Sequence, residues 1–100
     1  MVNLDRMTVE ELAEFWMKAQ SSPARTARKL FGDQPPTDPH GTAVAVLLAV
    51  KNYAMYRQQA LVAKRNGSEQ QAEAYQRQAD GCYLALPGWA KFREPEPPGH

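Results

Sequence analysis

Leu12, Phe15 and Trp16 stand at i, i+3 and i+4, while Glu10, Glu14 and Lys18 take the other side. That period belongs to a one-sided helix. Thr8 followed by Glu11 has the spacing of a capping box, in which each side chain bonds a backbone N–H left open at a helix start. Met7 precedes the cap and Leu12 takes the fourth helical position, so a hydrophobic staple is available. A second stripe, Ala27, Leu30 and Phe31, follows after a very short turn. Ser22 suits its N-cap, Pro23 the first helical position, where a missing N–H costs nothing, and Gly32 the position just past its end.

From Asp33 to His40, Pro35, Pro36 and Pro39 prevent helix, which predicts an ordered crossover loop. Val44, Leu47, Leu48, Val50, Ala54 and Leu61 then predict a long helix from about Thr42 to Arg65, stopped by Asn66-Gly67. Ser68 with Gln71 predicts a second capping box. Ala72, Tyr75, Ala79, Cys82 and Leu86 repeat as 3-4-3-4, the seam of a helix packed on a neighbour. So short a turn makes the two an antiparallel pair. Gly81, inside the fourth helix, predicts either close helix approach or a bend. Pro87 closes that helix, and Trp89 and Phe92 are expected to fold back on the core. Strand-like alternation is missing throughout. The expected fold is all-α with four main helices, helices 3 and 4 a long antiparallel hairpin and short helices 1 and 2 packed across it. Residues 1–92 would form one helical domain and 93–100 a Pro-rich flexible tail.

Composition narrows the class without changing that picture. The chain has 100 residues, 43% of them hydrophobic, and a net charge of +1, which suits one globular domain and marks no obvious nucleic-acid binder. The charges come in blocks. Arg6 faces Asp5, Glu10, Glu11 and Glu14, whereas Lys18, Arg25, Arg28 and Lys29 form one basic block and Lys51, Arg57, Lys64 and Arg65 another. Such blocks are either solvated helix faces that pair with one another or a basic groove for an acidic partner. Cys82 is alone, which excludes an internal disulfide and fits a reducing compartment. The apolar run Ala43 to Val50 is far short of the about 20 residues that span a bilayer. A soluble, cytoplasmic protein with no membrane partner is expected.

Candidate chemistry is sparse. The histidines are His40, in the Pro-rich loop, and His100, the last residue. Cys82 lies on the apolar seam as a small hydrophobe, and two histidines with one cysteine make no spaced zinc set. Glu10, Glu11 and Glu14 are first-turn charges that complement a helix dipole. The scattered glycines form no phosphate-cradling loop. No catalytic residue, metal or cofactor is expected, and the chain is expected to be no enzyme.

Binding remains. Helix 1, the Ser21-Ser22 turn and helix 2 could form a helix-turn-helix that presents Arg25, Thr26, Arg28 and Lys29 to DNA. Its turn lacks the common glycine, however, and helix 2 is barely two turns long. For a protein partner, Tyr53, Met55 and Tyr56 fall too close together on one helix to face a single core. At least one is expected to be exposed or to cover a second surface, as at interfaces rich in aromatics and Met. The candidate partner-binding residues are therefore Arg25, Arg28, Lys29, Tyr56, Lys64 and Arg65.

The run Ser22-Pro23-Ala24-Arg25-Thr26-Ala27-Arg28-Lys29-Leu30-Phe31 resembles a stretch of small uncharacterised helical proteins of tailed phages and prophages. There an Asn-Pro-x-x-Thr-Ala-Arg-x-Leu-Phe run precedes a Pro-containing loop. The resemblance continues through Asn52-Tyr53-Ala54, Ala72 and Tyr75 to Leu86-Pro87-Gly88-Trp89-Ala90-Lys91-Phe92, over roughly residues 4–92. Met55 and Tyr56 stand where the family often has Trp-Asn, and Phe92 where it ends on Trp. The resemblance implies an accessory protein that binds a host protein or ribonucleoprotein complex, such as an inhibitor of a CRISPR–Cas effector. It implies no catalytic residues. Asn66-Gly67 with Ala72, Tyr75 and Ala79 is also similar to a tetratricopeptide hairpin, with the aromatic and proline positions off register.

Overall fold

The computed structural model describes residues 3–32 and 42–93, with the side chains of 42 and 43 left aside. The loop expected over Asp33–His40 and the tail beyond Arg93 lie outside the described residues. Four α-helices appear, α1 (Val9–Ser21), α2 (Pro23–Phe31), α3 (Thr42–Arg65) and α4 (Glu69–Leu84), with short 3-10 turns at Leu4–Arg6 and Gly88–Ala90. Among the described residues there is no strand. α3 and α4 form the hairpin, and α1 and α2 pack against it.

The capping box of α1 forms as its spacing predicts. The Glu11 N–H donates to the Thr8 hydroxyl at 3.1 Å, and the Thr8 N–H donates to the Glu11 carboxylate at 3.0 Å. The hairpin turn is closed by backbone alone. Ser68 N–H donates to Ala63 C=O at 2.8 Å and Gly67 N–H to Lys64 C=O at 3.1 Å. This is the paired bond of a Schellman end, and it places Gly67 at φ +83°, where a side chain would be strained.

Two expected caps do not form. Ser22 and Ser68 occupy N-cap positions, but neither side chain makes a capping bond. Side-chain capping uses an extended backbone, as at Thr8 with ψ 168°, whereas Ser22 has ψ 66° and Ser68 ψ 75°. Ser22 is also committed to α1, since its N–H donates to Lys18 C=O at 2.8 Å. The Thr26 hydroxyl donates to that same carbonyl at 3.0 Å and ties α2 to the end of α1.

The core gathers Leu4, Leu12, Ala19, Ala27, Phe31, Leu47, Val50, Tyr53, Ala54, Ala79, Leu86, Ala90 and Phe92. Small residues on α1, α2 and α4 let these helices approach α3 closely. Trp89 and Phe92 do fold back: Trp89 meets Phe31 edge-on at 5.1 Å, and Phe92 lies 4.8 Å from Tyr53 and 5.0 Å from Tyr83. Leu48, assigned to the apolar pattern of α3, is instead 46% exposed. Gly81 serves no close approach, because a Cβ built there meets nothing within 4 Å.

Candidate functional site

α2 carries Arg25, Arg28 and Lys29 on its solvent side because Ala27 and Phe31 are drawn into the core. The three cations divide into two environments. Lys29 lines a groove of about 250 Å³ between α1 and α2, with Met7, Phe15 and Leu30 as its apolar walls and Glu11, Glu14 and Lys18 along it. Lys18 sits 2.8 Å from Glu14. Its ammonium holds the Glu14 carboxyl below the usual 4.5, and Lys29 adds a smaller pull in the same direction. Lys29 thus lines the groove beside Glu14 without forming an ion pair among the described residues. Arg25 and Arg28 lie outside that groove: both are exposed, and neither has an ion pair among the described residues.

Lys64 and Arg65 sit far from these, at the exposed tip of the hairpin. Arg65 reaches Glu10 of α1 at 4.0 Å, with both side chains well exposed, a contact that contributes little. Tyr56 is half-buried and packs against the core. The six candidates therefore form no single patch. α2, the hairpin tip and the α3 flank are three separate places.

Sequence reasoning missed the densest polar constellation. Where the 3-10 turn of Leu4–Arg6 and the segment after Gly88–Ala90 meet the hairpin, Arg93 donates through Nε to Asp5 at 2.7 Å and through Nη2 to Asp80 at 2.7 Å and to the Tyr53 hydroxyl at 3.2 Å. The Tyr53 hydroxyl in turn donates to Asp5. Gln76 donates to Asp80 at 2.9 Å and accepts from Arg57 at 2.5 Å. The guanidinium lies 4.2 Å from the Tyr83 ring centre, within cation–π range. Burial alone would raise the Asp80 carboxyl, but the Arg93 and Gln76 hydrogen bonds and the Arg93 and Arg57 charges outweigh it and bring it below 3.8. Burial likewise works against the Arg93 charge, and its two carboxylates more than restore it. Arg93, assigned by sequence to the start of a flexible tail, is thus a fixed clasp.

Chemically, Arg93, Asp5, Asp80, Tyr53 and Gln76 are engaged with one another, while the buried Arg57 Nε beside them has no hydrogen-bond partner among the described residues. Cys82 offers no activated nucleophile, since partial burial pushes its thiol up. Among the described residues no group of three or more His, Cys, Asp or Glu could hold a metal ion. No described helix is long and apolar enough to cross a membrane. α1 and α2 are separated by Ser22 alone, whereas a helix-turn-helix uses a turn of about 3–4 residues. The Tyr53 hydroxyl was the one available signal for the clasp, because a buried tyrosine normally finds a polar partner. Comparison with protein families, curated proteins and solved structures finds no match to this chain.

Proposed function

We propose that this chain is a non-enzymatic binding protein and that Arg25 and Arg28 on α2 meet a negatively charged surface of its partner. One observation carries the reading: Arg25 and Arg28 are presented together, three residues apart, on the solvent side of α2, and neither has an ion pair among the described residues. Arginines held outward in this way suit bidentate contact with carboxylate or phosphate. The resemblance to small phage and prophage proteins supplies the setting, an accessory protein acting on a host protein or ribonucleoprotein complex. A host defence effector such as a CRISPR–Cas complex is the most concrete target.

The test is capture from host lysate by the tagged protein, with and without nuclease, beside an Arg25→Glu/Arg28→Glu double variant. A stoichiometric protein complex that survives nuclease and is lost in the double variant supports the reading. Recovery of nucleic acid alone, removed by digestion and falling steeply with salt, would assign the stripe to DNA instead.

A further inference from the structure

α3 has a second face, apolar at every other position, that the described residues leave uncovered. Its outer side carries Ala45, Leu48, Asn52, Met55, Gln59 and Val62, spaced 3-4-3-4-3. All are exposed except Met55, which is half-buried and is no part of the core. Leu48 and Val62 are 46% and 37% exposed. Every second position of this stripe is apolar (Leu48, Met55, Val62), and the positions between are alanine or amides. Regular 3-4 spacing over about 25 Å of helix is the register that a second helix fills, its anchors recurring at i, i+3, i+4 and i+7.

We infer that this stripe docks one amphipathic helix of a partner, with acidic residues flanking that helix's apolar edge. Charge selects the partner. From 42 to 65 the chain holds Lys51, Arg57, Lys64 and Arg65 and no Asp or Glu. Lys51, between Leu48 and Met55, and Arg65, beyond Val62, border the stripe on one side. Lys51 has no ion pair among the described residues, and the exposed contact of Arg65 with Glu10 is long. A second copy of the chain would bring an equally basic helix to the same face. The area points the same way: stable homodimers use about 20–30 residues a side, and this stripe offers six. The surface is distinct from that of Arg25 and Arg28, so this inference stands or falls separately from the reading of α2.

Two synthetic 21-residue helical peptides test it, sharing a leucine seam and differing only in Glu or Lys at the flanking positions. Both are titrated by fluorescence anisotropy below their own association range. The Glu-flanked peptide should bind saturably, and the Lys-flanked peptide at least about tenfold more weakly. Met55→Glu should weaken the Glu-flanked peptide about tenfold or more with helicity retained. Lys51→Glu should cut the preference between peptides about threefold, as an exposed charge does. Binding of neither peptide, or equal binding of both, overturns the inference. So does a concentration-dependent dimer in sedimentation that Met55→Glu abolishes, which would give the face to a second copy.

Discussion

Tyr53 and Met55 lie two positions apart on α3 and live under opposite conditions. Tyr53 is fully buried, ringed by Phe92 and Tyr83, with its hydroxyl engaged by Asp5 and Arg93. Met55 looks away from the core along a stripe with no described neighbour to cover it. On the inner side of α3 the apolar surface is covered by aromatics and the Tyr53 hydroxyl is engaged by Asp5 and Arg93. Its outer side and the outer cations of α2 have no partner among the described residues. Stability and binding are thus assigned to different sides of the same helices, and substitutions on the two sides should separate them.

The largest effect should come from the aromatic seal. Phe92→Ala leaves a hole between Tyr53 and Tyr83 and should cost about 3–5 kcal/mol, read from the urea midpoint. Peptide or partner binding should return wherever the variant is folded. Arg93→Ala comes next. It leaves Asp5 and Asp80 facing a half-buried space without their cation, and should cost about 2 kcal/mol, between the values for exposed and for buried pairs. Arg93→Lys should recover only part of this, since one ammonium does not reproduce the guanidinium's fork to two carboxylates.

How far the sequence could reveal this contrast depends on the distance between partners along the chain. Thr8 with Glu11, and Asn66-Gly67, are local signals, and both helix boundaries appear where they place them. Ser22 with Pro23 also marks the start of α2 correctly, but its side chain makes no capping bond, because the same residue ends α1 and its backbone is not extended. The Arg93 clasp joins residues 88, 40 and 13 positions apart, and Asp5 and Asp80 each look like an ordinary helix-face charge in their own segments. Leu48 was misassigned for a related reason. α3 is apolar on several sides, so periodicity cannot separate the side that meets α1, α2 and α4 from the side that meets water. Among the candidate site residues, the sequence could place Arg25 and Arg28 on one helix face. It could not show that Lys29 lines a groove shared with Glu14 of α1.

Gly81→Ala should raise stability, sharpening the contrast from the other direction. The site is an exposed helical position with ordinary backbone and no atom near the added Cβ, so the gain is the helix propensity difference of about 1 kcal/mol. For a domain of this size that is roughly 4–8 °C in Tm.

Acid should act through the clasp and also reach the exposed Glu14–Lys18 pair of α1. Asp80 has its folded pKa below the ordinary 3.8, so its contribution is complete above that value and is lost as pH falls through the lower folded one, while Arg93 stays charged throughout. Because Asp80 remains well exposed, solvent screening keeps the effect below about 1 kcal/mol. Denaturation curves between pH 5 and pH 2, taken about every half unit, should show this loss in the wild type. In Asp80→Asn the Asp80 part should vanish, leaving only the remaining carboxylates.

The smallest effect should fall on Leu84, and it checks that outward apolar residues are free of the fold. Leu84 ends α4 with 72% of its surface exposed, whereas Leu86, two residues on, is buried at 4%. Leu84→Gln exchanges one good helix former for another and uncovers almost nothing, so the urea midpoint should move by less than about 0.5 kcal/mol. Leu86→Ala, measured beside it, should cost about 2–5 kcal/mol. If Leu84→Gln proved as costly as its neighbour, the outer surface would be supporting the core. The division of α3 into a sealed side and an available one would then lose its basis.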